Sequence, residues 1–211
     1  WSSDVCSSDL DLKRFAKSRK DHFRKAITPD NEKLIVHTSN FRKVKRVQDV
    51  VEVFDRVRKK IPVKLIMIGD GPERHKIEEL TREKGFYHEV RFLGKQEMVE
   101  EVLSIADLFL MPSETESFGL AALEAMACQV PVISSNSGGM PELNIQGVTG
   151  YMSNVGDVDD MATNALKILS DDKTLQDFRQ AALTQAKAFD IHHIMPIYEK
   201  YYEQIIQSAK K

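Results

Sequence analysis

The chain predicts an α/β fold built on a doubly wound parallel sheet, with helices on both faces. Three observations carry this. Runs of five or six mostly apolar residues alternate with stretches of helical spacing at least four times. The runs lack the in–out alternation of half-exposed strands and read as strands buried on both sides. Polar or glycine-rich loops follow them at one edge of the expected sheet, where such sheets bind ligands.

The elements follow in order. Residues 12–26 are basic and helically spaced, and Thr28-Pro29-Asp30-Asn31 breaks that helix. Lys33 to Thr38 is the first expected strand. Val47, Val50, Val51, Phe54 and Val57 recur at helical spacing within 47–60. Pro62 opens a second strand, Val63 to Ile68, which stops at Gly69-Asp70-Gly71-Pro72. A polar helix over 73–84 is closed by Gly85. His88 to Leu93 reads as a strand ending at Gly94, residues 96–105 as a helix, and Asp107 to Met111 as the next strand. A helix from Gly119 to Cys128 and a strand from Val130 to Ser134 complete the alternating part. After Gly150 the character changes. A brief strand near Thr149 to Met152 precedes three expected helices, Asp157 to Leu169, Asp172 to Phe189 and Ile194 to Ile206. No linker, repeat or low-complexity tract divides residues 11–211, so one domain is expected. Residues 1–10 carry the near-repeat Trp-Ser-Ser-Asp and Cys-Ser-Ser-Asp and break from this pattern. They are expected to be non-native or disordered.

Composition excludes several function classes. A net charge of −2 gives no global attraction to nucleic acid or anionic membrane. Asp11 to Lys25 holds seven Lys or Arg against two Asp, and a solvated helix face accounts for it. No apolar run approaches the ~18–20 residues of a membrane span, no secretory signal is visible, and a cytoplasmic setting is expected. Cys6 and Cys128 lie far apart, without metal or redox spacing, and Cys128 reads as a small buried hydrophobe.

The segment from Pro112 to Ala127 carries the chemistry. Glu116 and Glu124 stand eight positions apart, where an apolar strand passes through small residues into a strong helix former. That layout puts a carboxylate at each end of a short segment. It also aims the free amides of a helix start, around Phe118, Gly119, Leu120 and Ala121, into the crevice. Such a start favours phosphate through its orphan donors and its dipole. Carboxylates beside it suit sugar hydroxyls. Together they read as a site for a sugar joined to a phosphate.

Several motifs in fixed order carry a resemblance. Glu116-Ser117-Phe118-Gly119-Leu120, Glu124-Ala125-Met126-Ala127, Pro131-Val132-Ile133 and Gly138-Gly139-Met140-Pro141-Glu142 are joined by Gly69-Asp70-Gly71-Pro72 and Phe92-Leu93-Gly94. From about Leu34 to Gly150 the chain resembles the donor half of the retaining GT-B glycosyltransferases of the GT4 type, related to glycogen and sucrose-phosphate synthases. The resemblance implies one Rossmann-like half of a GT-B fold, and a retaining hexosyltransferase using a UDP-sugar without an obligatory metal or other cofactor. Ser39 to Val47, Val130 to Asn136 and Asn144 to Gly150 narrow it further. They imply transfer of N-acetylglucosamine from UDP-GlcNAc to L-malate or a similar small acceptor, a step of bacillithiol biosynthesis.

The same resemblance implies roles. Glu116 would hold donor-sugar hydroxyls nearest the transferring carbon, and Lys45 would neutralise the departing diphosphate. Glu124 would hold the ribose. The amides of Phe118, Gly119 and Leu120 would bind sugar and phosphate oxygens, and the loops at Gly69, Gly71 and Gly94 would border the uracil. The family carries an Arg five positions before the Lys, where this chain has Asn40, and Arg42 is a candidate replacement. The family's N-terminal acceptor domain, with its glycine-rich phosphate loop, has no counterpart here. The chain is therefore expected to be a C-terminal half that binds donor without turnover on its own. A UDP-sugar epimerase of the same architecture is the rival reading.

Other signals are demoted. Asp157-Val158-Asp159 resembles a metal motif of another glycosyltransferase fold but sits at a helix start, where Asp caps. His192 and His193 are adjacent and would point apart on a helix. Gly69 and Gly71 read equally well as plain turn residues. For Lys45, a solvated face shared with Arg42, Lys43 and Arg46 is the weaker alternative. No Gly-x-Gly-x-x-Gly follows the first strand, so a nicotinamide cofactor is not expected. The last helix, with Ile194, Ile197, Tyr198, Tyr201 and Ile205, would expose an apolar stripe open to self-association.

Overall fold

The computed structural model describes residues 21–190 continuously, with Leu12, Arg14 and Phe15 before them and 195, 196, 199–202 and 204–206 after them. Six strands form one sheet: β1 (Lys33–Thr38), β2 (Val63–Ile68), β3 (Val90–Gly94), β4 (Leu108–Met111), β5 (Val132–Ser135) and β6 (Gly150–Ser153). Every pairing is parallel, and the order is β3-β2-β1-β4-β5-β6. The expected doubly wound sheet is therefore present. Strand order reverses between β1 and β4, which are paired Ile35 to Leu108 and Val36 to Phe109. The loops leaving these strands part there, and they open a crevice at the carboxyl edge.

The strand side chains divide between two cores because successive residues point to opposite faces. Leu34, Val36, Phe109 and Met111 join α5 (Leu120–Ala127), α6 (Met140–Leu143) and the later part of α8 (Asp172–Ala188). Ile35, Leu65, Met67 and Leu110 face α2 (Val47–Arg58), α3 (Arg74–Glu83) and α7 (Val158–Leu169). The apolar spacing that predicted α2 is its buried face. Val47, Val50, Val51, Val53, Phe54 and Val57 are at most 1% exposed, and each such side chain contributes about 1.5–3 kcal/mol by leaving water.

Boundaries moved in four places. α1 covers Asp21–Ile27, and Leu12, Arg14 and Phe15 lie in turns rather than in the expected helix over 12–26. A 3-10 turn at Tyr87–Glu89 takes the start of the expected third strand. α4 spans Val99–Leu103 only. Between the strand expected to end at Ser134 and the one expected near Thr149, the chain forms α6, started by Pro141 at its first turn. Asp157 caps α7 as expected, its side chain accepting from Asp160 N–H at 3.0 Å. Cys128 is fully buried.

The two ends of the domain are tied to the other edge of the sheet. Asp107 takes Arg24 at 2.6 Å and Arg179 at 2.5 Å, and also accepts the Leu34 amide at 2.7 Å. A groove of about 980 Å³ opens beside this cluster, lined by Arg24, Lys33, Ile61, Leu175 and Arg179 among others. It lies across the sheet from the crevice. The expected apolar stripe is visible in part. Tyr201 and Ile205 are exposed, whereas Ile194, Ile197 and Tyr198 lie outside the described residues, as do His192, His193, Cys6 and residues 1–10.

Candidate functional site

The crevice is built from four loops at the carboxyl edge. The first runs from Ser39 to Arg46 after β1. Two of its residues adopt left-handed backbone, Phe41 at φ 33° and Arg46 at φ 48°. Such angles are uncommon for residues with a Cβ and mark a constrained segment. The buried Phe41 ring anchors one end, and a 3-10 turn at Lys43–Lys45 fills the middle. Asn40 and Arg42 are exposed on its rim.

The second loop, after β4, meets the first. The Glu114 amide donates to the Val44 carbonyl at 2.8 Å. Lys45 Nζ lies 2.6 Å from Glu116 Oε2, and both side chains are mostly buried, 22% and 14% exposed. This pair joins the two halves of the sheet across the switch point. Paired in this way, the Lys45 side chain is not on a freely solvated face.

Glycines hold these loops where they are. The Gly139 amide donates to the Glu116 carbonyl at 2.9 Å. A Cβ on Gly138 would stand 1.8 Å from that same oxygen. Gly69 and Gly71 do more than turn the chain. Their Cβ atoms would fall 1.8 Å from the Ser39 carbonyl oxygen and 2.2 Å from that of Asn40. The loop after β2 thus presses on the loop that carries Lys45, and the Gly69 amide donates to the Gly94 carbonyl at 2.8 Å.

α5 starts bare. Gly119, at φ 90°, precedes it without any side-chain cap. Its carbonyl takes the amides of Ala122 at 2.9 Å and Leu123 at 3.0 Å. Among the described residues, the amides of Phe118, Gly119, Leu120 and Ala121 meet no acceptor, as expected for an open helix start. Glu124 sits in the second turn. Burial pushes its carboxyl up to about 7, opposed by Arg14 and reinforced by Glu100 of α4. The two glutamates therefore differ: Glu116 is paired with an ammonium, and the Glu124 carboxyl accepts no hydrogen bond among the described residues and sits in a poorly solvated spot. Among the described residues no group of three or more His, Cys, Asp or Glu is placed to hold a metal ion.

Sequence reasoning missed the support beneath the loops. His37 of β1 is fully buried with Ser39 as a partner. A histidine inside an otherwise apolar strand was the signal available.

A six-stranded all-parallel sheet of this order with helices on both faces is a Rossmann-like domain, and its solved neighbours are GT-B glycosyltransferases. Residues 18–185 match the family described as glycosyl transferases group 1, and the chain belongs to that family. It is 42% identical over 182 residues to N-acetyl-alpha-D-glucosaminyl L-malate synthase of Bacillus anthracis, covering 86% of this chain and 48% of that protein. Sucrose-phosphate synthase from Thermosynechococcus elongatus superposes with a TM-score of 0.83 at 25% identity, over 95% of this chain and 52% of that one. Anabaena HepE, solved in complex with UDP, gives 0.82 at 23% identity over 94% and 56%. The chain spans about half the length of these relatives. No helix among the described residues is long and apolar enough to cross a membrane.

Proposed function

We propose that this domain binds a UDP-sugar across the β1–β4 crevice and serves as the donor half of a retaining N-acetylglucosaminyltransferase. The carrying observation is the Lys45–Glu116 pair, 2.6 Å apart, beside the unpartnered amides at the start of α5. An ammonium and a helix start facing one space suit the diphosphate, which gains negative charge as the sugar–phosphate bond breaks. Charge placed beforehand stabilises that change without an obligatory metal. Glu116 then holds sugar hydroxyls beside the transferring carbon, and shares Lys45 with the phosphate. Glu124 accepts ribose hydroxyls, which supply the hydrogen bonds its buried carboxylate lacks. The backbone around Gly69, Gly71 and Gly94 borders the uracil, with Asn40 and Arg42 on the phosphate side.

The 42% identity to the Bacillus anthracis synthase favours N-acetylglucosamine as the sugar and L-malate as the acceptor. Acceptor contacts belong to the part of the relatives that this chain does not match. Donor binding is therefore the property to measure on the 211-residue chain.

Titration calorimetry tests the roles. Glu124→Ala is expected to weaken UDP itself, whereas Glu116→Ala weakens UDP-GlcNAc and spares UDP. Each loss should be about tenfold or more, as for a hydrogen bond to a charged group. The opposite pattern overturns the assignment.

A further inference from the structure

His37 lies on β1 beneath the crevice, fully buried. A polar ring in that position has to satisfy both nitrogens. Nδ1 stands 2.8 Å from the Leu110 carbonyl oxygen. A carbonyl only accepts, so Nδ1 carries the proton. Nε2 must then accept. Its partner, 2.8 Å away, is the Ser39 hydroxyl, which therefore donates. The Ser39 oxygen in turn accepts the Phe41 amide at 3.3 Å. One directed chain runs from Phe41 through Ser39 and His37 to the backbone of β4. The ring also stacks on Phe109 at 6.5 Å. Burial lowers the imidazole pKa to about 4, so at neutral pH it stays uncharged and the direction of the chain is fixed.

This chain ends at the constrained part of the loop. Phe41 and Arg46 hold left-handed backbone at φ 33° and 48°, and Lys45 lies between them. Backbone of this kind persists only where the surroundings over-determine it. The buried Phe41 ring is one such restraint. The hydroxyl that receives the Phe41 amide is another.

We infer that His37 is a positioning residue for Lys45: through Ser39 it fixes the loop after β1 and so sets where the ammonium meets the diphosphate. The inference rests on the donor reading above, and His37 itself touches no substrate.

Amide exchange and calorimetry on the 211-residue chain test it. His37→Phe keeps a ring but removes both nitrogens, Ser39→Ala cuts the next link, and Ser39→Thr keeps the hydroxyl. The Phe41 amide is expected to exchange about tenfold faster in His37→Phe and Ser39→Ala. It should recover in Ser39→Thr, while the β2 amide of Ile66 stays unchanged. The dissociation constant for UDP should rise about tenfold in both variants and no further in the double variant, because both cut one chain. Uridine, which lacks the diphosphate, should shift by less than about twofold. Unchanged Phe41 exchange, or equal losses for UDP and uridine, overturns the positioning role. If the unaltered chain takes up neither UDP nor uridine, the donor reading falls, and the exchange comparison still decides whether His37 holds the loop. Should His37→Phe not fold, the Ser39 variants carry the same comparison.

Discussion

Glu124 illustrates how a single residue can trade stability for a binding contact. Its carboxyl is raised from 4.5 to about 7 by burial. A group whose folded pKa lies above its unfolded value holds its proton more tightly when folded. Stability from this group is therefore full below about pH 4.5 and declines as pH rises toward 7. Glu124→Gln is expected to stabilise the free domain at pH 8 by up to about 3 kcal/mol and to change little at pH 4. Urea unfolding at the two pH values checks this, and an equal effect at both would contradict it. Ribose hydroxyls donating to the ionised carboxylate would draw its pKa back down. Uridine affinity should then rise between pH 6 and 8 in the unaltered chain and stay flat in Glu124→Gln. Uridine is the right probe, since it has no phosphate to titrate in that range.

At the level of elements, the site depends on loops pressing together at glycines. Gly138 has φ 58°, and a Cβ there would meet the Glu116 carbonyl oxygen at 1.8 Å. Backbone cannot give way as a flexible side chain can. Gly138→Ala should therefore destabilise by more than about 2 kcal/mol and displace Glu116 from Lys45. Gly85 provides the comparison. It closes α3 at φ 80° with nothing within 4 Å of its absent Cβ. Gly85→Ala should cost only about 1 kcal/mol and leave UDP affinity alone. Similar costs for the two substitutions would show that close loop contact does not shape the site. The order of elements was legible in the sequence because apolar runs and helical periods are local signals. α6 was not, since Met140 and Leu143 become apolar anchors only against the core around α5. The constrained loop after β1 was also hidden. Its φ angles are set by the burial of Phe41 and by partners on β4, 73 positions away in the case of His37 and Leu110.

Across the whole molecule, the sheet carries the candidate site at one edge and an anchoring ion-pair cluster at the other. Asp107 binds Arg24 of α1 and Arg179 of α8, with side-chain exposures of 8%, 22% and 10%. Removing the shared carboxylate leaves two guanidinium groups beside each other in a poorly solvated place. Asp107→Ala is expected to cost about 3–5 kcal/mol in chemical denaturation. A loss under about 1 kcal/mol would mean that the cluster does not hold the chain ends. Glu116, Glu124 and Lys45 stood out as candidates from motif order, whereas this cluster did not, because its members come from three distant segments with no common spacing. The placement of Lys45 against Glu116 ties the two scales together: a contact spanning 71 positions bridges the loops that part at the strand reversal. A crystal structure of this domain soaked with UDP examines that placement most directly. The diphosphate should lie within hydrogen-bond reach of Lys45 Nζ and the amides of Gly119 and Leu120, with the ribose on Glu124. UDP bound elsewhere, or a crevice left empty at saturating UDP while Lys45 remains on Glu116, would contradict the donor site.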